Sequence, residues 1–215
     1  MPVAVKICGI GTEDAMAAAV EGGARYVGLV FFPPSPRFLR LDDAARLAQA
    51  VPPRVKRVGV VVDESDETLA SILGAVPLDM LQLHGSETPD RVTTIRNRFG
   101  LPVIKAVGIA GRDDLARARA LENAADMLLF DAKPAAESDG ALPGGNARAF
   151  DWDIIAGETW ARPWMLSGGL NVDNLAQAVA ASGAPAVDVS SGVETAPGCK
   201  DPALIRAFLA RAAEL

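Results

Sequence analysis

The chain has 215 residues, a length that suits one domain, and half of them are hydrophobic, enough for a large core. Its formal charge of −6, from 27 acidic against 21 basic residues, weighs against nucleic acid or an acidic membrane as main partner, since both need a basic surface. The two cysteines, Cys8 and Cys199, make no disulfide framework; no apolar run nears the ~20 residues of a membrane span, and the start shows no signal-peptide pattern, so a cytoplasmic protein is expected.

Short runs rich in β-branched residues alternate with amphipathic stretches along the chain. The first run is Val3 to Ile7, followed by a helix from Thr12, a plausible N-cap, to about Gly22. Tyr26 to Phe32 is the second, with a helix from Asp42 to Val51. Val55 to Val62 is the third, with a helix from Glu64 to Leu73. Met80 to Leu83 is the fourth; its helix runs from Pro89, harmless in a first turn, to Phe99. The fifth, Val103 to Val107, precedes a helix from Arg112 to Leu121. The sixth, Met127 to Phe130, precedes a long polar segment, Ala132 to Ala149, and a short helix from Trp152 to Ala156. Pro163 to Leu166 and Ala186 to Val189 complete the strands, with helices from Val172 to Ala181 and Pro202 to Ala213. Eight βα units closing on themselves predict a single-domain α/β fold spanning 1–215, a (β/α)8 TIM barrel. A doubly wound open sheet is the competing architecture, although no G-x-G-x-x-G follows the first strand.

In such a barrel, chemistry belongs where strands end. Cys8 follows the first strand; it is either a small buried apolar side chain or a reactive thiol with a lowered pKa. Arg37, after Pro33-Pro34-Ser35-Pro36, offers a fork that fits a planar carboxylate, or else a solvated charge on a stiff loop. His84, the only histidine, follows the fourth strand and is a ligand contact, a proton shuttle or a loop-ordering group. Asp131 ends the apolar sixth strand, where a raised pKa suits a general acid and backbone capping is the plain alternative. Ser167-Gly168-Gly169 and Ser190-Ser191-Gly192 follow the last two strands, where this fold commonly cradles phosphate with backbone N–H groups. The long segment with Gly144-Gly145-Asn146 reads as a lid over substrate.

With these residues in order, the whole chain resembles the phosphoribosylanthranilate isomerase family. The carriers are Lys6-Ile7-Cys8-Gly9, Ser35-Pro36-Arg37, Gln82-Leu83-His84-Gly85, Phe130-Asp131, Gly144-Gly145, Phe150-Asp151-Trp152, Leu166-Ser167-Gly168-Gly169-Leu170 and Asp188-Val189-Ser190-Ser191-Gly192-Val193-Glu194. The resemblance implies an Amadori rearrangement of N-(5′-phosphoribosyl)anthranilate to 1-(2-carboxyphenylamino)-1-deoxyribulose 5-phosphate. It implies Cys8 as general base, Asp131 as general acid and Arg37 at the anthranilate carboxylate. It further implies His84, Gly145 and Asn146 near the substrate and phosphate on the last two loops. No metal or other cofactor is called for, and the assembly is a monomer or a homodimer. One run departs from the pattern: Gly144-Gly145-Asn146-Ala147 stands where the family usually has Gly-Gly-Thr-Gly or Gly-Gly-Ser-Gly.

Other barrel enzymes fit less well. Metal-dependent pentose-phosphate epimerases need several histidines. The histidine-pathway sugar isomerase carries Asp where this chain has Cys8, and indole-glycerol-phosphate synthase relies on Lys/Glu pairs. A non-catalytic phosphate-binding barrel has no need of both Cys8 and Asp131.

Overall fold

Each apolar run forms a strand, and the helices between them alternate with the strands. The structure, a computed structural model, describes residues 2–133 and 150–215. The strands are β1 (Ala4–Cys8), β2 (Tyr26–Val30), β3 (Lys56–Val61), β4 (Met80–Leu83), β5 (Val103–Ile109), β6 (Met127–Ala132), β7 (Trp164–Leu166) and β8 (Ala186–Val189). They close in sequence order, all parallel, with β8 back on β1. The architecture is therefore the TIM barrel, and the open doubly wound sheet is excluded.

The helices are α1 (Glu13–Glu21), α2 (Leu41–Gln49), α3 (Asp66–Ala75), α4 (Pro89–Phe99), α5 (Asp114–Leu121), α6 (Leu175–Ser182) and α7 (Pro202–Ala213). Local chemistry sets their starts. Thr12 caps α1 by accepting from Ala15 N. α3 begins after Glu64 because Ser65 accepts from Thr68 N. α6 begins three residues later than its apolar pattern suggests, because Asn171 Oδ1 accepts from the N–H groups of Asp173 and Asn174 in a turn. The stretch after Phe150 winds only one 3-10 turn, Trp152–Ile154, rather than a helix to Ala156. No helix among the described residues is long and apolar enough to cross a membrane.

Period-two alternation assigns the two faces of the sheet. Val5, Ile7, Val27, Leu29, Leu81, Leu83, Leu128 and Phe130 lie in the large core between sheet and helices. Val58, Met80, Ile104, Ala106, Met127, Leu129, Met165 and Ala186 fill the barrel interior. Cys8, Val30 and Val60 form a separate small cluster. Full burial of one such large side chain stabilises by roughly 1.5–3 kcal/mol. Cys8, Asp131 and Asp188 share the interior parity, so alternation itself turns them inward.

Several strand ends and one hairpin differ from the sequence reading: β2 stops at Val30 rather than Phe32, β3 is one residue shorter at each end, β5 runs on to Ile109, and β7 starts at Trp164. β1 reaches Cys8. β6 continues through Asp131, which pairs with Gly108 of a longer β5, so the carboxylate sits within the strand. Between β8 and α7 lies an antiparallel hairpin, β9 (Glu194–Ala196) and β10 (Cys199–Lys200), turning at Pro197-Gly198. Its strands are too short to show a period.

Candidate active site

The first charged group inside the barrel is Lys6 on β1. It is wholly buried, and its Nζ lies 2.8 Å from Asp188 Oδ1 on β8. Burial works against the ammonium, but Asp188 and, after it, Cys8 together outweigh burial and hold the lysine above its ordinary pKa. Asp188 Oδ2 accepts from Ser167 Oγ at 3.2 Å, so β1, β7 and β8 are tied together at this level.

Cys8 comes two residues after Lys6, 7 % exposed. Burial pushes its thiol up from the ordinary 9.0; Lys6 pulls it back, Asp188 adds to the rise, and Lys200 on β10 lowers it. A Cβ at residue 28 would stand 2.9 Å from Cys8 Sγ, so Gly28 on β2 leaves the sulfur its space.

Asp131 is 5 % exposed. Its Oδ1 accepts from Ala132 N at 2.8 Å, which is the capping role that the sequence left open. Its Oδ2 faces His84 Nε2 at 3.3 Å, close enough for contact but not aligned as a hydrogen bond. Gln82 Nε2 is 2.8 Å from His84 Nδ1. With the amide so oriented, Nδ1 accepts and the proton sits on Nε2, toward Asp131. His84 thus stands beside the candidate acid.

The His84 loop is built on a buried ion pair. Lys105 on β5 pairs with Leu83 and Leu128 in register, on the outer apolar face. Its Nζ donates to the carbonyls on both sides of His84, Leu83 O at 3.1 Å and Gly85 O at 2.9 Å, and to Ala106 O at 2.9 Å. Glu87 Oε2 lies 2.9 Å away. Glu87 also accepts from the N–H groups of Asp63 and Gly85, tying the β3 and β4 loops together. Burial lowers the Lys105 pKa, while Glu87 works in the other direction.

Arg37 is nearly buried, and its fork is already engaged. Nε and Nη2 each donate to Glu194 at 2.8 Å. The solvated charge that the sequence also allowed is therefore corrected: Glu194 of β9 holds the Nε–Nη2 edge, and a ligand can meet only the other edge. Nη1 has no acceptor among the described residues and, beside the second N–H of Nη2, is left for a ligand.

The two glycine-rich loops meet at the same end of the barrel. Gly168 and Gly169 have φ of 89° and 62°, backbone that other residues rarely adopt. A Cβ on Gly192 would overlap the Leu170 carbonyl oxygen, so only glycine lets the β8 loop lie against the β7 loop. The N–H groups of Gly168, Gly169, Ser191 and Gly192 donate to no other described residue. Two of the three serine hydroxyls are otherwise engaged: Ser167 on Asp188, and Ser190 on Cys8 O at 3.1 Å. Gly145 and Asn146, with most of the proposed lid, lie outside the described residues.

Glu87, Lys105 and Lys200 were not singled out from the sequence, and Lys6, Gln82, Asp188 and Glu194 stood in the runs that carry the resemblance without being given a role. A signal existed for three of them: a charge set inside an apolar strand run, as in Val5-Lys6-Ile7, Ile104-Lys105-Ala106 and Val187-Asp188-Val189, demands a buried partner.

Comparison with known proteins identifies the family. A family model described as N-(5′-phosphoribosyl)anthranilate (PRA) isomerase matches residues 5–211. The N-(5′-phosphoribosyl)anthranilate isomerase of Rhodospirillum centenum is 61 % identical over the full length of both chains. That of Cereibacter sphaeroides is 60 % identical, covering 96 % of this chain and 97 % of the relative. The crystal structure of phosphoribosyl anthranilate isomerase from Thermotoga maritima superposes with a TM-score of 0.88 at 39 % identity, covering 99 % of this chain and all of that one. A crystal structure of a phosphoribosyl anthranilate isomerase in complex with reduced 1-(o-carboxyphenylamino)-1-deoxyribulose 5-phosphate matches with a TM-score of 0.83 at 37 % identity over 99 % and 100 %. The chain belongs to the N-(5′-phosphoribosyl)anthranilate isomerase family and is an aldose–ketose isomerase.

Proposed function

We propose that the chain converts N-(5′-phosphoribosyl)anthranilate to 1-(2-carboxyphenylamino)-1-deoxyribulose 5-phosphate, a step of tryptophan biosynthesis, with Asp131 as acid and Cys8 as base. Asp131 protonates the ribose ring oxygen as the C1′–O bond breaks, leaving an iminium between nitrogen and C1′. Cys8, as thiolate, takes the C2′ proton. The electron pair left behind forms the C1′=C2′ bond and neutralises the nitrogen, giving an enolamine. Protonation at C1′ and loss of the C2′ hydroxyl proton complete the ketose. C2′ is oxidised and C1′ reduced within the one molecule, by proton transfers and one C–O cleavage, so the scheme needs no external oxidant or reductant.

The observation that carries this reading is the inward parity of Cys8 and Asp131 at the barrel end where the unpaired N–H groups of Gly168, Gly169, Ser191 and Gly192 gather. Those N–H groups suit the 5′-phosphate. Arg37 Nη1 suits the anthranilate carboxylate. The His84 Nε2 proton suits the Asp131 carboxylate left after proton transfer. Lys6 and Lys200 favour the Cys8 thiolate against the burial that opposes it.

The test is turnover of freshly made substrate, followed by loss of anthranilate-type fluorescence. Steady first-order loss at catalytic enzyme concentration is the expected result; binding without turnover would overturn the reading. Arg37→Ala is expected to raise KM far more than it lowers stability, and an unchanged KM would remove Arg37 from the carboxylate.

A further inference from the structure

Lys200 gives and takes no proton in the scheme, yet its side chain is 1 % exposed. It lies on β10, and its Nζ contacts Ser190 O at 3.2 Å, Ser190 Oγ at 3.4 Å and Glu194 Oε1. Glu194, its side chain 4 % exposed, is the same carboxylate that grips Nε and Nη2 of Arg37. The two strands of the hairpin thus supply a charge chain, Arg37–Glu194–Lys200. The hairpin also touches the Arg37 loop directly. Gly198 has φ of 84°, and a Cβ there would overlap the Pro36 carbonyl oxygen.

The charges decide what the chain can do. Arg37 with Glu194 alone is neutral overall. A buried neutral pair gives an incoming carboxylate little attraction, because Glu194 repels it nearly as much as Arg37 draws it. Lys200 brings the trio to one net positive charge.

We propose that Lys200 is a specificity-determining residue: it neutralises Glu194 and so leaves Arg37 the net positive charge that selects a substrate carrying a carboxylate. Through Ser190, whose hydroxyl also donates to Cys8 O, the same ammonium joins the carboxylate end of the site to the β8 loop. This inference rests on the reading of Arg37 as the carboxylate contact.

The experiment compares two stable ligands, the reduced 1-(2-carboxyphenylamino)-1-deoxyribulose 5-phosphate and its counterpart without the ring carboxylate. Affinities are measured by titration calorimetry on the wild-type protein, Arg37→Ala, Lys200→Met and the double variant Glu194→Gln/Lys200→Met. Wild type is expected to prefer the carboxylated ligand. Lys200→Met is expected to shrink that preference by about tenfold or more, the scale on which truncating a buried charge alters binding. The double variant, whose net charge is again +1, is expected to regain most of it. A loss in Lys200→Met that is equal for both ligands means a merely structural role and overturns the proposal. So does a double variant no better than the single one. If Lys200→Met fails to fold, Lys200→Gln and the double variant give the same comparison. If Arg37→Ala keeps the wild-type preference, the underlying reading of Arg37 fails; if Arg37→Ala loses it and Lys200→Met does not, only the role of Lys200 fails.

Discussion

Replacing Lys105 with Met removes one partner of the buried pair under the His84 loop. The ammonium lies 2.9 Å from Glu87 Oε2 and donates to three carbonyls, and both side chains are almost wholly buried. Met fills much the same volume, so the loss is electrostatic rather than a cavity. Glu87 keeps the N–H groups of Asp63 and Gly85 but has no cation, and three carbonyls lose a donor. Breaking a buried pair from one side costs about 3–5 kcal/mol. For a domain of this size each kcal/mol is worth roughly 2–4 °C, so Tm is expected to fall by about 6–20 °C. Lys105→Met/Glu87→Gln removes both charges and keeps an acceptor for Asp63 N and Gly85 N. It is expected to be more stable than Lys105→Met alone. Urea unfolding followed by circular dichroism measures both. A loss under ~1 kcal/mol in the single variant would contradict the reasoning, because a surface pair is worth that much. A double variant less stable than the single would contradict it as well.

Other perturbations test other parts of the site. Gly192→Ala forces a methyl against the Leu170 carbonyl, so it is expected to cost about 1–3 kcal/mol of stability. It is also expected to raise KM for the phosphorylated substrate while sparing the affinity for free anthranilate, both read by titration. Burial holds the Cys8 thiol above the ordinary 9.0, so its thiolate fraction grows with pH through and beyond that value. In a Cys199→Ser background, the rate of Cys8 alkylation by iodoacetamide is expected still to be climbing at pH 9.0; a plateau near neutrality would mean an activated thiolate in the free protein. The linkage has a definite sign. The folded thiol keeps its proton longer than the unfolded one, so this contribution to stability is present below pH 9.0 and lost as pH rises through the higher folded value. His84→Asn is expected to lower kcat more than it raises KM, since His84 faces Asp131 and no proposed anion contact.

The barrel was legible because each strand is a run of apolar residues on both faces and each helix follows within a few residues. Cys8, His84 and Asp131 could be named as candidates because strand ends are where this architecture exposes side chains. What escaped was pairing across long sequence separations. Lys6 and Asp188 are 182 residues apart, and Arg37 and Glu194 are 157 apart, so neither residue's neighbours announce its partner. The pairing of the Nε–Nη2 edge of Arg37 with Glu194 went unseen for that reason. Asp131 was placed just past its strand because a carboxylate is a poor strand former; pairing to Gly108, which has no side chain, carries β6 two residues further.

The central claim is that Cys8 and Asp131 exchange the protons of the rearrangement from one barrel end. Single-turnover rates of Cys8→Ala and Asp131→Asn at saturating substrate test it directly, with folding checked by urea midpoint. Each variant is expected to lose about 10²–10⁴-fold in rate, the usual worth of a positioned acid or base, while keeping substrate affinity and stability close to wild type. A rate within a few fold of wild type in either variant, with a normal fold, would contradict the assignment of that residue.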